Sequence, residues 1–328
     1  MTATQLGPTQ HAVRAALAEG LGAALGRPVT IASLQPAPLA SRSTYPIDRL
    51  RVTFDTGEQR SVIFKRFVPN IELKEGRREI VIYERLLRGG RFGAPAVYGS
   101  VYDEVRNRYW LFLEDVGERT LRYADTDVWI AATRWLAEMH ANYAGREGDL
   151  HALDCLDVHG AAYYHAIALR ARENLRSVGA SAALTRLDGS LHGFDAVAHY
   201  LAEQPRTLVH GDIFSWNIMV QPGPIIRPID WEAAAIGVGV WDLVRLFDGW
   251  GAAQQPYIGA YVADLGRLGQ PVSDTEAFAR CFRCCRLVNA VWHLGWSAEQ
   301  CRDATFVEGY ITTFENGVYS WMEGMRDG

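Results

Sequence analysis

Leu208-Val209-His210-Gly211-Asp212-Ile213-Phe214-Ser215-Trp216-Asn217, with Ile229-Asp230-Trp231-Glu232 following shortly after, decides the fold of this 328-residue chain. The first stretch puts one carboxylate and one amide on a short loop beside an apolar run. The second puts carboxylates at the end of another run, Asp230 lying thirteen residues after Asn217. Phosphoryl transfer calls for this inventory: a carboxylate to orient the attacking hydroxyl and take its proton, and oxygen ligands to hold magnesium against the donor phosphates. Magnesium keeps several waters and needs only one or two protein carboxylates, so a sparse site is expected.

Helical periodicity stops between Leu208 and Ile229. Two short apolar runs, Asn217 to Val220 and Ile225 to Ile229, flank Gln221-Pro222-Gly223-Pro224 and read as a hairpin. Upstream, Val128 to His140, Ala161 to Val178 and Ser190 to Glu203 repeat apolar residues at three and four, and helices resume from Trp241 to the end. Nearer the N-terminus the pattern changes. Residues 9–25 predict an amphipathic helix. Val29 to Leu34, Leu50 to Phe54 and Arg60 to Phe67 predict strands, with Asp55-Thr56-Gly57 as the turn between the last two. Glu72 to Leu87 reads as a helix stopped by Gly89-Gly90, and two more strands are expected at Val97 to Tyr102 and Tyr109 to Leu113. The expected class is therefore α+β, with a small β-rich lobe over residues 1–116 and a larger, mostly helical lobe over 117–328.

Composition narrows the partners. The chain has only two lysines, Lys65 and Lys74, against 31 arginines. A sequence that uses arginine almost everywhere singles out lysine where a compact ammonium matters. Lys65 sits in the apolar run Val62-Ile63-Phe64-Lys65, suited to donor phosphates, and Glu79, 14 residues on, lies on the next helix and could hold it. Glu75 and Glu84 on the same helix are the alternatives to Glu79. Leu111 to Val116 ends a strand at the lobe boundary, where the backbone of Glu114 and Val116 could hydrogen-bond an adenine ring. A net charge of −5 argues against nucleic acid as a partner. That charge is divided: residues 1–115 carry 16 basic and 12 acidic side chains, the remainder 17 and 26, which suits a phosphate donor on the first part. No run of about eighteen uncharged apolar residues predicts a membrane span, and no basic-then-apolar leader is read at the N-terminus. Five cysteines, an odd and sparse count, fit a reducing cytoplasm better than a disulfide framework. Cys281, Cys284 and Cys285 are expected to pack as small apolar residues.

These anchors resemble the aminoglycoside phosphotransferase and choline kinase superfamily, relatives of protein kinases that modify small molecules. Its His-Gly-Asp, four residues, Asn pattern is matched by His210, Gly211, Asp212 and Asn217, and its Ile-Asp-Trp/Phe-Glu by Ile229 to Glu232. Its strand lysine and helix glutamate match Lys65 and Glu79. Leu136-Ala137-Glu138-Met139-His140 resembles its helix ending, and Gly237 through Asp242-Leu243 its later Gly-x-x-x-x-Asp-Leu. The resemblance implies a two-lobed protein-kinase-like fold, with Asp212 as catalytic base or hydroxyl-orienting residue. It implies Asn217 and Asp230 as magnesium ligands, Lys65 braced by Glu79 on the phosphates of ATP or GTP, Asp242 bracing the catalytic loop and His210 supporting its shape. One departure stands out. The first hairpin of the family often carries glycine over the phosphates, whereas Leu39 to Pro46 here has none; Ser43 is the candidate contact. Trp216 is bulky where many relatives are small, and would border the acceptor.

The acceptor is a small hydroxyl-bearing molecule whose identity the sequence leaves open: an antibiotic, a sugar, an amino alcohol or a nucleoside-like metabolite. Trp250, Tyr257, Trp292, Trp296 and Tyr310 offer a planar or apolar wall, and Asp248, Glu299, Asp303 and Glu308 offer carboxylates for an amine. The competing reading is a nucleotide-binding regulatory module that has kept the fold without turnover. A protein kinase is disfavoured, because the segment between Asp230 and Asp242 is too short for a peptide-docking platform.

Overall fold

The computed structural model describes residues 9–39, 45–67 and 73–324. In chain order it runs α1 (Thr9–Leu25), β1 (Ile31–Ala37), β2 (Ile47–Phe54), β3 (Gln59–Arg66), α2 (Leu73–Val81), β4 (Val97–Asp103), β5 (Arg108–Glu114) and α3 (Thr126–Tyr143). Next come α4 (Glu147–His151), β6 (Asp157–Val158), α5 (Ala161–Ser177), α6 (Ser181–Ala202) and β7 (Thr207–Val209). A hairpin of β8 (Ile218–Gln221) and β9 (Ile225–Pro228) follows. The chain ends with β10 (Ala235–Gly237), α7 (Val240–Leu246), α8 (Gln255–Arg267), α9 (Thr275–Trp296) and α10 (Ala304–Gly324). The α+β class read from the sequence, β-rich first and helical afterwards, is the class observed.

Two compact units divide the chain: Met1–Ala132 with Phe214–Ala234, and Thr133–Ile213 with Ala235–Gly328. The sequence reading places a single cut near Gly117. The β8–β9 hairpin instead goes with the β-rich unit, because Val220 N–H donates to Arg119 O at 2.7 Å and Thr120 bridges Met219.

The first unit is built on an antiparallel sheet ordered β1-β2-β3-β5-β4. Gly57, at a φ of 86°, makes the β2–β3 turn, its N–H donating to Phe54 O. Alternation decides which face each side chain takes. Val62 and Phe64 of β3 join Leu50, Val52, Phe112 and the α1 residues Val13, Leu17 and Leu21 in one apolar core. Lys65 therefore belongs to the opposite face. The helix α2 ends at Val81 and continues as one π turn, Ile82–Leu86, closed by Leu87 N–H on Ile82 O. Regular periodicity over Glu72 to Leu87 does not reveal that change.

Helix α1 approaches β4 closely at Gly20, where a Cβ would lie 1.6 Å from Tyr98 O. Backbone cannot yield there as a side-chain tip can. Gly20→Ala is expected to cost about 2–3 kcal/mol, the upper part of the usual range for overpacking. It should lower the urea midpoint at unchanged m-value; an unmoved midpoint would contradict the close packing.

In the second unit α5, α6, α9 and α10 pack around Leu187, Phe194, Leu287, Val288, Ile311 and Phe314. Cys281, Cys284 and Cys285 are buried in α9, and all five cysteines are free, as their reading as packing residues expects. Helix α6 begins nine residues before the expected Ser190. A small sheet ordered β6-β10-β7 has strands of two or three residues, too short for any sequence period to show. Among the described residues no helix is long and apolar enough to cross a membrane.

Candidate active site

Each unit carries a constellation of buried polar side chains that includes residues singled out in the sequence. In the first unit Lys65, only 3% exposed, sends its ammonium 2.6 Å from Glu79 Oε2, 2.5 Å from Asp230 Oδ1 and 3.1 Å from Glu232 Oε2. The rings of Tyr45 and Phe67 lie 5.3 and 5.2 Å from the same nitrogen. Strand β3 supplies the lysine, α2 the glutamate, and the turn after β9 the other two carboxylates. Asp230 occupies the left-handed region, φ 68° and ψ 61°, a conformation that Asp and Asn tolerate better than other side chains and that clusters at functional sites. Arg78 fixes the same turn by donating to Glu232 O at 2.9 Å.

One ammonium faces three carboxylates. Burial pushes Glu79 up to about 7 and Glu232 up to about 8, with repulsion from Asp230 adding to it and the Lys65 charge opposing it. Burial also works against the charge on Lys65, yet Glu79, Asp230 and Glu232 together hold its ammonium well above the ordinary range. Glu79, Asp230 and Glu232 each offer an oxygen within 4.8 Å of the other two. This donor set, hard oxygens only, is the chemistry that magnesium takes and that soft metals do not.

Glu232 joins the cluster beyond the residues expected from the sequence, and its place two residues after Asp230 is the signal for it. Of the alternatives to Glu79, Glu84 instead accepts from Ser100, and the Glu75 side chain lies outside the described residues. Ser43 also lies outside them. Asn217 is buried, its N–H donating to Phe214 O and its carbonyl accepting from Ile229 N–H, both at 2.9 Å, which ties the end of the loop to the end of the hairpin. The Glu114 N–H is already used, donating to Ala96 O at 2.8 Å, while its carboxylate accepts from Ala96 N–H and Arg227. Val116 is buried, its carbonyl at 3.5 Å from Gln221 Nε2. Trp216 is 40% exposed, tilted on Phe214 with the Arg122 guanidinium 5.9 Å from its ring centre.

The second unit holds the other constellation. Asp242, on α7, is fully buried and accepts from His210 N–H at 2.6 Å and Gly211 N–H at 3.0 Å. His140 Nε2 stands 3.3 Å from the same carboxylate, and its Nδ1 is 2.8 Å from the Tyr261 hydroxyl. Burial alone would raise the Asp242 carboxyl; the hydrogen bond and charge of His140 and the His210 contacts overcome it and hold the group below its ordinary value. The backbone of the loop is thus gripped by a carboxylate that its surroundings hold in the ionised form. His140 is a buried helix residue with both ring nitrogens in hydrogen-bonding range of a partner. Asp212 is about a quarter exposed and accepts on Oδ1 from Arg245 at 2.8 Å.

The aromatic residues considered for an acceptor separate into two groups. Tyr257 is buried and stacked on Phe247 with Trp250 at its edge, a packing role. Trp292 stacks on Trp296 at 4.9 Å, and Tyr310 on His293 at 4.4 Å. The carboxylates separate as well. Glu308 pairs with Arg186 at 2.9 Å, and Asp303 caps the first turn of α10 by accepting from Thr305 and Phe306 N–H. Asp248 accepts from Asn289 and His293 at 2.9 Å each. A further group of metal-ligand type, His165, Asp195 and His199, is exposed or nearly so, and His199 Nδ1 is committed to its own helix at Asp195 O.

Residues 46–279 match the model of the phosphotransferase enzyme family, more than half of the chain. The chain belongs to that family. Solved structures share its fold at low identity. A protein assigned as a fructosamine-3-kinase from Thermobifida fusca aligns with a TM-score of 0.57 and 19% identity over 95% of this chain and 98% of its own. The choline kinase LicA from Streptococcus pneumoniae gives 0.55 and 13% over 95% and 100%. APH(2")-IIIa, solved with GDP and kanamycin, gives 0.55 and 16% over 89% and 94%. No curated protein sequence matches the chain. The kinase-like fold and the superfamily resemblance read from its motifs are both borne out.

Proposed function

We propose that this phosphotransferase family member moves the γ-phosphate of magnesium-bound ATP or GTP to a hydroxyl of a small molecule. The observation that carries this reading is the buried Lys65 ammonium held by Glu79, Asp230 and Glu232. A lysine so placed is charged, oriented and surrounded by the oxygen donors that a magnesium nucleotide needs. In this reading residues 1–116 supply the nucleotide-binding lobe and 117–328 the catalytic and acceptor-binding lobe. Glu114, Val116 and Ser43 belong to the nucleotide site, and the five free, buried cysteines suit a reducing cytoplasm. The similar proteins named above act on aminoglycosides, choline or fructosamine by name, so an aminosugar, a sugar or an amino alcohol is the acceptor class to examine first, antibiotics included.

Asn217, Asp230 and Glu232 would hold magnesium, which supplies neutralisation of charge on the donor phosphates. Lys65 holds the same phosphates by its ammonium, and Glu79 keeps that ammonium on its strand. Asp212 accepts the hydrogen bond of the acceptor hydroxyl and so fixes its oxygen. The bond from that oxygen to the γ-phosphorus forms as the bond to the β,γ-bridging oxygen breaks. The hydroxyl proton passes to the Asp212 carboxylate, and a nucleoside diphosphate leaves. His210 takes no proton; its backbone holds the loop on Asp242.

The test is a panel of aminoglycosides, sugars, amino alcohols and nucleosides incubated with magnesium and ATP or GTP, read by mass spectrometry for a gain of one phosphate. It is run beside slow hydrolysis of ATP with water as acceptor. Asp212→Asn is expected to lower turnover about 100-fold, within the span of general acid–base contributions. Should neither protein hydrolyse ATP and no compound gain phosphate, the catalytic reading fails and a silent nucleotide-binding module replaces it.

A further inference from the structure

Helix α7 presents two charged residues, Asp242 and Arg245, three positions apart and so on one face. Every residue of this seven-residue helix is buried. The first of the pair takes the backbone N–H groups of His210 and Gly211; the second takes the Asp212 side chain. Both thus act on three consecutive residues of one loop.

Arg245 is only 1% exposed, an expensive place for a guanidinium unless it is paired. Its Nη2 donates to Asp212 Oδ1 at 2.8 Å and its Nη1 to Asn289 Oδ1 at 3.3 Å. Its Cζ lies 3.7 Å from the centre of the Trp292 ring and 5.2 Å from that of Trp241. Asn289 passes the contact on to Asp248 at 2.9 Å, and His293 holds the other Asp248 oxygen at 2.9 Å. The guanidinium is therefore held by its cation–π contact with Trp292 and by an amide anchored in turn, which gives its Asp212 bond a fixed direction.

Resting on the reading of Asp212 given above, we infer that Arg245 is the positioning residue for that carboxylate. An aspartate on a loop has two torsions free to turn; a guanidinium donor on Oδ1 sets the plane in which the other oxygen lies. The guanidinium also offsets the Asp212 charge, which would otherwise repel the anionic phosphoryl group brought to the same hydroxyl. Lysine would keep the charge but lose the planar fork and weaken the contact with Trp292.

The experiment measures magnesium-ATP hydrolysis, with water as acceptor, for the full chain and for Arg245→Met, Arg245→Lys, Asp212→Asn and the double variant Asp212→Asn/Arg245→Met. Arg245→Met is expected to lower kcat about 100-fold, and Arg245→Lys to lower it about 10-fold, with KM for ATP within about threefold of the parent. Because the arginine acts through Asp212, the double variant should be no more than about threefold slower than Asp212→Asn alone. Thermal melts accompany each rate; if Arg245→Met does not fold, Arg245→Lys carries the same expectation at its own size. An unchanged kcat in a folded Arg245 variant, a loss confined to KM, or losses that multiply in the double variant would overturn the inference while Asp212→Asn still loses activity. Equal rates for the parent and Asp212→Asn would instead bring down the reading of Asp212, and this inference with it.

Discussion

Lys65→Met is expected to lower kcat/KM for magnesium-ATP turnover about 1,000-fold, at the upper end of what one electrostatic donor contributes in a water-excluded site. The methionine keeps the length and the apolar stem of lysine, so Tyr45 and Phe67 retain a neighbour, while the ammonium within reach of Glu79, Asp230 and Glu232 is gone. Three carboxylates then share one site with no cation. An anionic nucleotide entering such a site meets repulsion where it would have met attraction, so both binding and turnover suffer. Glu79→Gln, which keeps a hydrogen-bond acceptor for the ammonium but removes its charge, should lose only about 10-fold, because a neutral acceptor forms a weaker bond than a charged one. Steady-state rates for both variants decide the matter. A Lys65→Met protein with a tenth or more of the parent activity would remove the lysine from the donor site.

Asp242→Asn should destabilise the second unit by about 3 kcal/mol, the low end of the range for breaking a buried charged network. The carboxylate accepts from two backbone N–H groups and faces His140 with no exposed surface. An amide has one oxygen to offer where the loop needs two acceptors, and its own N–H groups would point at donors. The effect depends on pH in a definite direction. The folded carboxyl lies below its ordinary value, so its contribution is complete above the unfolded value of about 3.9. That contribution is lost as pH falls through the folded value. The gap in urea midpoint between the parent and Asp242→Asn is therefore widest near neutrality and narrows on acidification below about pH 4. A gap that stayed constant into acid would mean that the ionised form is not what grips the loop.

Much of this arrangement was legible from residue types and spacing. Strand alternation puts Lys65 on the face opposite the apolar core and the turn after β9 carries Asp230, while Glu79 is singled out from the other helix glutamates only by the packed structure. The loop from His210 was legible as well, its backbone demand being met by Asp242 on a later helix. Glu232 and Arg245 are less legible, although they stand two residues from Asp230 and three from Asp242. For Arg245 the signal was available: a charge inside Val240-Trp241-Asp242-Leu243-Val244-Arg245-Leu246, where neither face is solvated and every charge needs a partner. The pair between Glu308 and Arg186 depends on where α6 and α10 pack and so leaves no trace in spacing, whereas the Asp303 cap is local, two and three residues from its donors. The small sheet of β6, β10 and β7 was illegible because its strands are shorter than any periodicity needs.

The first unit is discontinuous, and this bears on how the protein is made. Glu79 is on hand for Lys65 almost as soon as both have been synthesised, but Asp230 is 165 residues further along. At ordinary elongation rates that gap lasts roughly 8–30 s. Through that interval the N-terminal sheet can form its hydrogen bonds and its α1 core on the ribosome, yet the buried Lys65 waits for two of its three counter-charges. Residues 133–213, which belong to the other unit, emerge in the meantime. The nascent chain therefore completes the charge cluster around Lys65 only after most of the protein exists, so that a truncated product, even one with an intact β-sheet, carries an unfinished cluster.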